Sequence, residues 1–283
     1  MAYLSRWERE YIVSGVNEDF RTDGRSCKDY RHFTLETGVV SNTSGSARIK
    51  LDRTCVVVGV KAELGVPTLA KPSEGRIEFS VDCCALATPE FEGREGEELG
   101  SHLAHELLKA YSNSGCLDLS SLAVIPGQQC WVLYVDALVL EWGGGGVLES
   151  LSVAVVAALK VTRIPRLIIS GEGEDMEFEV SDNPHDVVKL DVKGAPVIIT
   201  LSQIGNHFLV DASMQEELCA SARLFVAINS SQNIVSISKD GFGGLLYNKL
   251  QDVILMAQEV CTDVFTRIDT NLTDNHNKQR LST

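Results

Sequence analysis

Residues 130–162 read CWVLYVDALVLEW (130–142), GGGG (143–146) and VLESLSVAVVAALKVT (147–162). The first thirteen are too long and too apolar a run for a surface edge strand, so they predict a strand buried inside a sheet. The glycines hand the chain over to a helix from Val147 to Thr162, whose many Ala, Ser and Val residues imply close packing on that sheet. Ile164-Pro165 stops the helix.

Upstream, residues 5–16 predict a short helix with Ser5 as N-cap, Glu8 completing a capping box, and Tyr11, Ile12 and Val16 on its apolar face. Strands are expected at 31–40, 46–51, 55–64 and 76–84, the last placing Ile77, Phe79, Val81 and Cys83 on one face. The loop 86–98 precedes a helix from Leu99 to Tyr111 with Leu99, Leu103, Leu107 and Leu108 as its core stripe. Downstream, the acidic, Gly-rich stretch 170–186 reads as an inter-domain connection. Strands follow near 187–193, 196–204 and 207–211, then a strand pair at 223–229 and 233–239. A long helix from Leu245 to Asn271 ends in a loose tail. Both halves run strands first and helix second, an α+β layered design with weak internal duplication. The expected division is an N-terminal helix and arm (1–29), a first half (30–166), an acidic connection with an entering strand (167–192), a second half (193–268) and the tail (269–283).

The chain of 283 residues carries 25 Lys and Arg against 39 Asp and Glu, a net charge of −14. Bulk charge therefore excludes non-specific nucleic-acid binding by the isolated chain, because phosphate contacts need clustered cations. No apolar run reaches the ~18 residues of a membrane span, and the N-terminus lacks the pattern of a signal peptide. The Asn-x-Ser/Thr sequons at Asn42, Asn229 and Asn271 read as chance matches. The eight cysteines show no C-x-x-C and lie mostly among apolar neighbours, as reduced core thiols would. His102-Leu-Ala-His105-Glu106 lacks a third ligand, so neither a metal nor another cofactor is expected.

Six ordered segments then carry a resemblance: Arg21-Thr-Asp-Gly-Arg25, Val40-Ser-Asn-Thr-Ser-Gly-Ser-Ala-Arg48, Ala87-Thr-Pro-Glu-Phe-Glu-Gly93, Leu117-Asp-Leu119, Trp131-Val-Leu-Tyr-Val-Asp136 and Val210-Asp-Ala-Ser-Met-Gln-Glu-Glu217. From about residue 8 to residue 268 the chain resembles the RNase PH family, and within it the ring subunits of the RNA exosome. The resemblance implies an RNase PH fold of two ribosomal-S5-like β-α halves with helices on mixed sheets. It also implies a six-membered ring with other RNase PH-like subunits, S1/KH cap subunits, RNA passing through the centre, and residence in nucleus, nucleolus and cytoplasm.

Active members of the family are phosphorolytic: phosphate attacks the 3′-terminal phosphodiester and a nucleoside diphosphate leaves. That chemistry needs donors for a dianionic nucleophile and a carboxylic acid near the leaving oxygen. The family's Gly-Gly-Thr-Arg turn is here Gly143, Gly144, Gly145 and Gly146, so hydroxyl and guanidinium are gone, with Glu141 and Glu149 flanking. Gly194 stands where the family's general-acid aspartate would be, three residues after Asp191. In place of an arginine cluster stands Phe91-Glu-Gly-Arg94-Glu-Gly-Glu-Glu98. The expectation is a non-catalytic ring subunit; the alternative is a phosphate-dependent 3′–5′ exoribonuclease with its catalytic residues elsewhere. Arg94, His105 and Lys109 are either an RNA-path stripe or an ordinary exposed helix face. Arg21, Asp23 and Arg25 are expected to form a structural ion pair. Asp211, Glu216 and Glu217 are expected to cap the segment at 213–222 and to pair at a subunit boundary.

Overall fold

The computed structural model of the chain describes residues 4–112, 116–170, 177–181, 183, 186–245 and 247–282. In chain order, α1 (Arg6–Asn17) precedes β1 (Phe33–Thr37), β2 (Gly45–Leu51), β3 (Thr54–Gly65), β4 (Arg76–Cys83), α2 (Arg94–Tyr111), β5 (Ala123–Ile125), β6 (Gln129–Glu141) and α3 (Val147–Val161). Then come β7 (Arg163–Pro165), β8 (Leu167–Ser170), β9 (Glu177–Val180), β10 (Val187–Lys189), β11 (Val197–Ile204), β12 (His207–Val210), α4 (Met214–Cys219), β13 (Ala222–Ile228), β14 (Ile234–Asp240) and α5 (Tyr247–Ser282).

The long apolar strand β6 lies where its composition requires, between two partners. It pairs antiparallel with β3 and parallel with β4 in a sheet ordered β1-β2-β3-β6-β4. The second large sheet, β12-β11-β13-β14, is antiparallel throughout rather than mixed. Between them runs α3, every residue of which from Val147 to Leu159 is buried. It packs on β2 and β3 from one side and β11 from the other. A helix buried all round cannot be amphipathic, and small Ala and Ser residues let both layers approach it. The two halves thus share one hydrophobic cluster, running from Phe33 and Val58 through Leu151 to Ile199 and Phe265.

α1 carries its predicted capping box: the Ser5 hydroxyl accepts the Glu8 N–H at 3.3 Å, and the Glu8 carboxylate accepts the Ser5 N–H at 2.7 Å. Ile12 and Val16 pack with Ile204, Leu209 and Ala212, so the N-terminal helix docks on the second half. Tyr11, expected on that face, is exposed.

Several boundaries depart from expectation. α2 begins at Arg94 rather than Leu99, capped by Gly93 at φ 84°. Its extra turn contains Gly96, and Gly100 follows within the expected span; both look like breakers in sequence but serve close approach. A Cβ on Gly100 would meet Val81 O at 2.4 Å, and one on Gly96 would meet Phe91 O at 2.5 Å. The stripe accordingly shifts to Leu103, Leu107, Ala110 and Tyr111, while Leu108 is exposed. The expected loose tail at 269–283 is instead helical to Ser282. Asp269 pairs with Lys160 at 2.5 Å, Leu272 packs on the core, and the Asn275 side chain donates to Leu35 O at 2.7 Å. Single polar anchors of this kind leave no periodic apolar signal. Of the connection at 170–186, residues 171–176, 182, 184 and 185 lie outside the described residues. Its flanks form a β8–β9 hairpin and a β7–β10 pair. Among the described residues no helix is long and apolar enough to cross a membrane.

Gly100→Ala forces a methyl group into the α2–β4 contact. We expect a stability loss of about 1–3 kcal/mol, read as a lower urea midpoint at unchanged m-value; an unchanged midpoint would show that the helix can lift off β4 without cost.

Candidate functional site

The N-terminal arm enters the second half as a ladder of guanidinium groups. Arg21 and Glu216, both buried, form a bidentate pair at 2.9 and 2.6 Å. Arg21 also donates to the backbone carbonyls of Val210 and Asp211 at 3.0 and 2.8 Å. Arg25 bridges Asp23 and Asp211 at 2.6 and 3.0 Å. Arg31 grips Asp211 through Nε and a terminal nitrogen at 2.8 and 2.6 Å, and its backbone N–H donates to the same carboxylate at 2.8 Å. Three guanidiniums and three carboxylates balance, which is what lets charged groups stay buried. Asp211 holds φ at 49°, a left-handed conformation uncommon outside glycine, and the arginines fix its carboxylate there.

Within the ladder Arg21, Asp23 and Arg25 lie in ion pairs inside the chain. Asp211 and Glu216 are buried and pair with the chain's own arm, while the half-buried Glu217 meets the glycine turn. Glu216 does cap α4, its carboxylate accepting the Ser213 N–H at 2.7 Å. Arg31 went unnoticed in the sequence because it lies at the edge of an alternating strand pattern, outside any motif.

From Arg31 the network reaches the glycine turn, where a terminal nitrogen donates to Gly144 O at 2.7 Å. Thr54 donates to Gly145 O at 2.9 Å. Gly145 and Gly146 adopt φ of 74° and 66°, and a Cβ on Gly145 would meet Ala212 O at 2.7 Å and Glu217 Oε1 at 3.0 Å. Such a turn opening a fifteen-residue helix, with free N–H groups at its positive end, is an anion cradle in kind. Here it is filled from within: Gly146 N–H donates to Glu217 Oε1 at 2.9 Å. Burial raises the Glu217 carboxyl above its ordinary range, against the opposing effect of that N–H. Glu149, in the first turn of α3, is buried completely. Burial and then the charge of Asp211 push its carboxyl well above the usual carboxylate range. Its Oε1 accepts the Thr200 N–H at 2.7 Å, and its Oε2 has no partner. Burial thus favours the neutral form of Glu149. Glu141 is exposed, 3.9 Å from Lys50.

Beside the turn lies a cleft of about 330 Å³ lined by Leu99, Trp142, Met214, Leu218 and the Arg223–Asp240 pair. Trp142, which lines the cleft, stacks on the buried Phe91 with centroids 4.9 Å apart. Gly194 is not brought there. Thr200 meets Glu149, while Ile198 meets Ser152 one turn further along α3, at 2.7 Å. Following β11 toward Gly194 thus leads away from the turn. Asp191 lies in no strand; its carboxylate accepts the Lys193 N–H at 3.2 Å in a local turn. Arg94, His105 and Lys109 fall within one exposed sector of α2, since residues 11 and 15 positions apart are offset by only about 20° and 60° around a helix. Glu97 and Glu98 share that side, and Glu95 and Glu97 stand in the first turn where the helix dipole favours acids. Among the described residues, no group of three or more His, Cys, Asp and Glu could hold a metal ion.

Two sheets sharing a central helix, with a strand–glycine turn–helix at their junction, define the two-domain architecture of 3′ exoribonucleases. The model for domain 1 of the 3′ exoribonuclease family matches residues 29–165 and that for domain 2 matches residues 194–260; the chain belongs to the RNase PH family. A Dictyostelium discoideum protein, provisionally named exosome complex exonuclease RRP42, is 37% identical across 96% of this chain and 98% of its own length. The exosome complex component Rrp42 of Methanocella arvoryzae is 34% identical, covering 90% of this chain and 93% of that protein. Among solved structures, a chain of the Archaeoglobus fulgidus exosome with RNA bound to the active site superposes with a TM-score of 0.78 at 26% identity. The match covers 92% of this chain and 97% of that one.

Two outcomes follow from the buried charges. Arg21→Met strands Glu216 and is expected to cost about 3–5 kcal/mol in denaturant unfolding, with Glu216→Gln added on top recovering part of the loss; additive losses would mean the pair is uncoupled. Glu149 has a folded pKa above its unfolded one, so its stabilising protonation is complete below the unfolded value and lost as pH rises through the folded value. Glu149→Gln should therefore melt higher than the parent by a margin that widens from about pH 5 to pH 8, and a margin independent of pH would place a charged carboxylate there.

Proposed function

We propose that this chain is a non-catalytic subunit of an exosome-type ring. It assembles with other RNase PH-like subunits, contributes to the wall of an RNA channel, and supports 3′–5′ RNA processing and degradation, rRNA processing included, by activity that partners supply. The observation carrying this reading is the Gly146 N–H bonded to Glu217 at 2.9 Å. The helix terminus that would cradle a phosphate already holds the chain's own carboxylate, and a side chain at 145 would strike Ala212 O. Arg31, whose guanidinium reaches the turn, is spent on Asp211 and Gly144 O, while the Arg53 side chain runs past Gly143 on the exposed side. A dianionic nucleophile thus meets a helix terminus already occupied by a carboxylate.

Ring membership is supported by the names of the relatives and by a second superposition, on an archaeal exosome core at a TM-score of 0.75 and 25% identity. S1/KH cap subunits and residence in nucleus, nucleolus and cytoplasm belong to the same proposal.

The purified chain incubated with single-stranded RNA and inorganic phosphate should release no nucleoside diphosphates, and tagged chain recovered from cells should bring down stoichiometric RNase PH-like partners. Phosphate-dependent release by the chain alone would reverse the reading in favour of a phosphorolytic exoribonuclease; recovery without such partners would remove the ring.

A further inference from the structure

The segment Val40–Arg48 has no part in the glycine turn, yet it builds a second groove at the opposite end of α3. Gly45 stands so close to that helix end that a Cβ would lie 2.4 Å from Thr162 Oγ1 and 2.8 Å from Ala158 O. Ser44 O accepts the Arg163 N–H at 2.9 Å, which pins the loop in place. The resulting groove, about 480 Å³, has Val40, Thr43 and Ser44 on one wall and Lys160, Arg163 and Lys189 on the other.

Its charge is the opposite of the molecule's. Lys189 and Arg163 are direct partners across the antiparallel β7–β10 ladder, a placement in which like charges repel. Both are exposed, and among the described residues neither side chain has a carboxylate at ion-pair distance. Lys160, alongside, is paired with Asp269 at 2.5 Å. Two adjacent unneutralised cations in a chain of net charge −14 are poised for an anion from outside. The Ser44 hydroxyl accepts the Ala62 N–H at 3.2 Å, which leaves its own proton to donate. A guanidinium, an ammonium and a hydroxyl are the donor set that phosphate oxygens take. Val40 and Leu272 add apolar surface beside the charges, which suits the sugar and base of a nucleotide better than an acidic peptide.

We infer that the Arg163–Lys189 groove, walled by Val40–Ser44, is a binding site for phosphate groups, with the backbone of single-stranded RNA as its ligand. The inference rests on the proposed RNA-linked role only in that this role brings such a strand within reach; the site itself needs no ring. The test uses the full chain alone, with fluorescence anisotropy of a 5′-labelled single-stranded RNA of about twelve nucleotides at roughly 25 mM salt. Two phosphate contacts predict a log–log salt slope near −1.4, from about 0.7 per contact on single strands. Arg163→Ala/Lys189→Ala should weaken binding about tenfold or more and flatten the slope, with circular dichroism and melting unchanged. Arg163→Lys/Lys189→Arg should retain binding. Competition by millimolar inorganic phosphate distinguishes a site that reads the phosphate group alone from one that needs the strand, and either result upholds phosphate recognition. Absent binding at low salt, binding indifferent to Arg163 and Lys189, or preference for a poly-glutamate peptide overturns it. Loss of ring partners in co-purification would leave this result standing, so the two readings fail separately.

Discussion

Arg31 and Asp211 hold the molecule together at the point where its two halves and its N-terminal arm converge. One carboxylate takes a bidentate guanidinium, a second guanidinium from Arg25 and the backbone N–H of Arg31, while Arg31 reaches on to Gly144 O. The arm, the second half's α4 region and the strand–turn–helix of the first half are therefore one electrostatic unit. Charges buried to this degree cannot be separated cheaply, because each would be left unpaired away from water. The geometry of the glycine turn is consequently set by residues far away in both directions, Arg31 lying 113 positions before Gly144 and Glu217 lying 71 positions after Gly146. Asp211 accepts a left-handed backbone as part of that arrangement.

The same unit supplies the carboxylate that meets the glycine turn. Glycines that keep φ positive still open α3 with free N–H groups, and that partial positive charge still favours a carboxylate. Glu217 supplies it from α4, one residue after Glu216, which neutralises Arg21. Glu149 fills adjoining space, its carboxyl bonded to the Thr200 N–H. A side chain at 145 would strike Ala212 O.

Much of this was legible in the sequence and some was not, for identifiable reasons. The strand at 130–142, the helix after the four glycines and the capping box at Ser5 follow from local pattern, since burial and capping act over a few residues. The start of α2 was hidden because Gly96 and Gly100 are favoured by contact with β4, and helix propensity counts only their local cost. The end of α5 was hidden because its anchors are isolated polar contacts at Asp269 and Asn275. At the site, the absent Thr-Arg pair and the acidic replacements were visible in residue types. What filled the gap was not, because Glu217 and Gly146 meet only through the tertiary fold. Arg31 shared that obscurity: nothing local distinguishes an arginine entering a strand from one holding two domains.

α3 links the two ends of the argument. Buried along both faces, it exposes its dipole only at its termini, and each terminus is met by charge of the complementary sign: Glu217 at the N-terminus, Lys160 and then Arg163 at the C-terminus. At the first end the match is closed, with carboxylate and N–H both satisfied. At the second it is open, since Lys160 has Asp269 while Arg163 and Lys189 face each other with no carboxylate between them among the described residues. The Thr162 hydroxyl bonds Ala158 O at 2.7 Å and helps finish the helix, so the two cations are not consumed in capping it. A chain with fourteen excess negative charges could neutralise such a pair with a single Asp or Glu nearby. Among the described residues none does so, and α3 thus carries a closed charge match at the glycine turn and an open one at its far end.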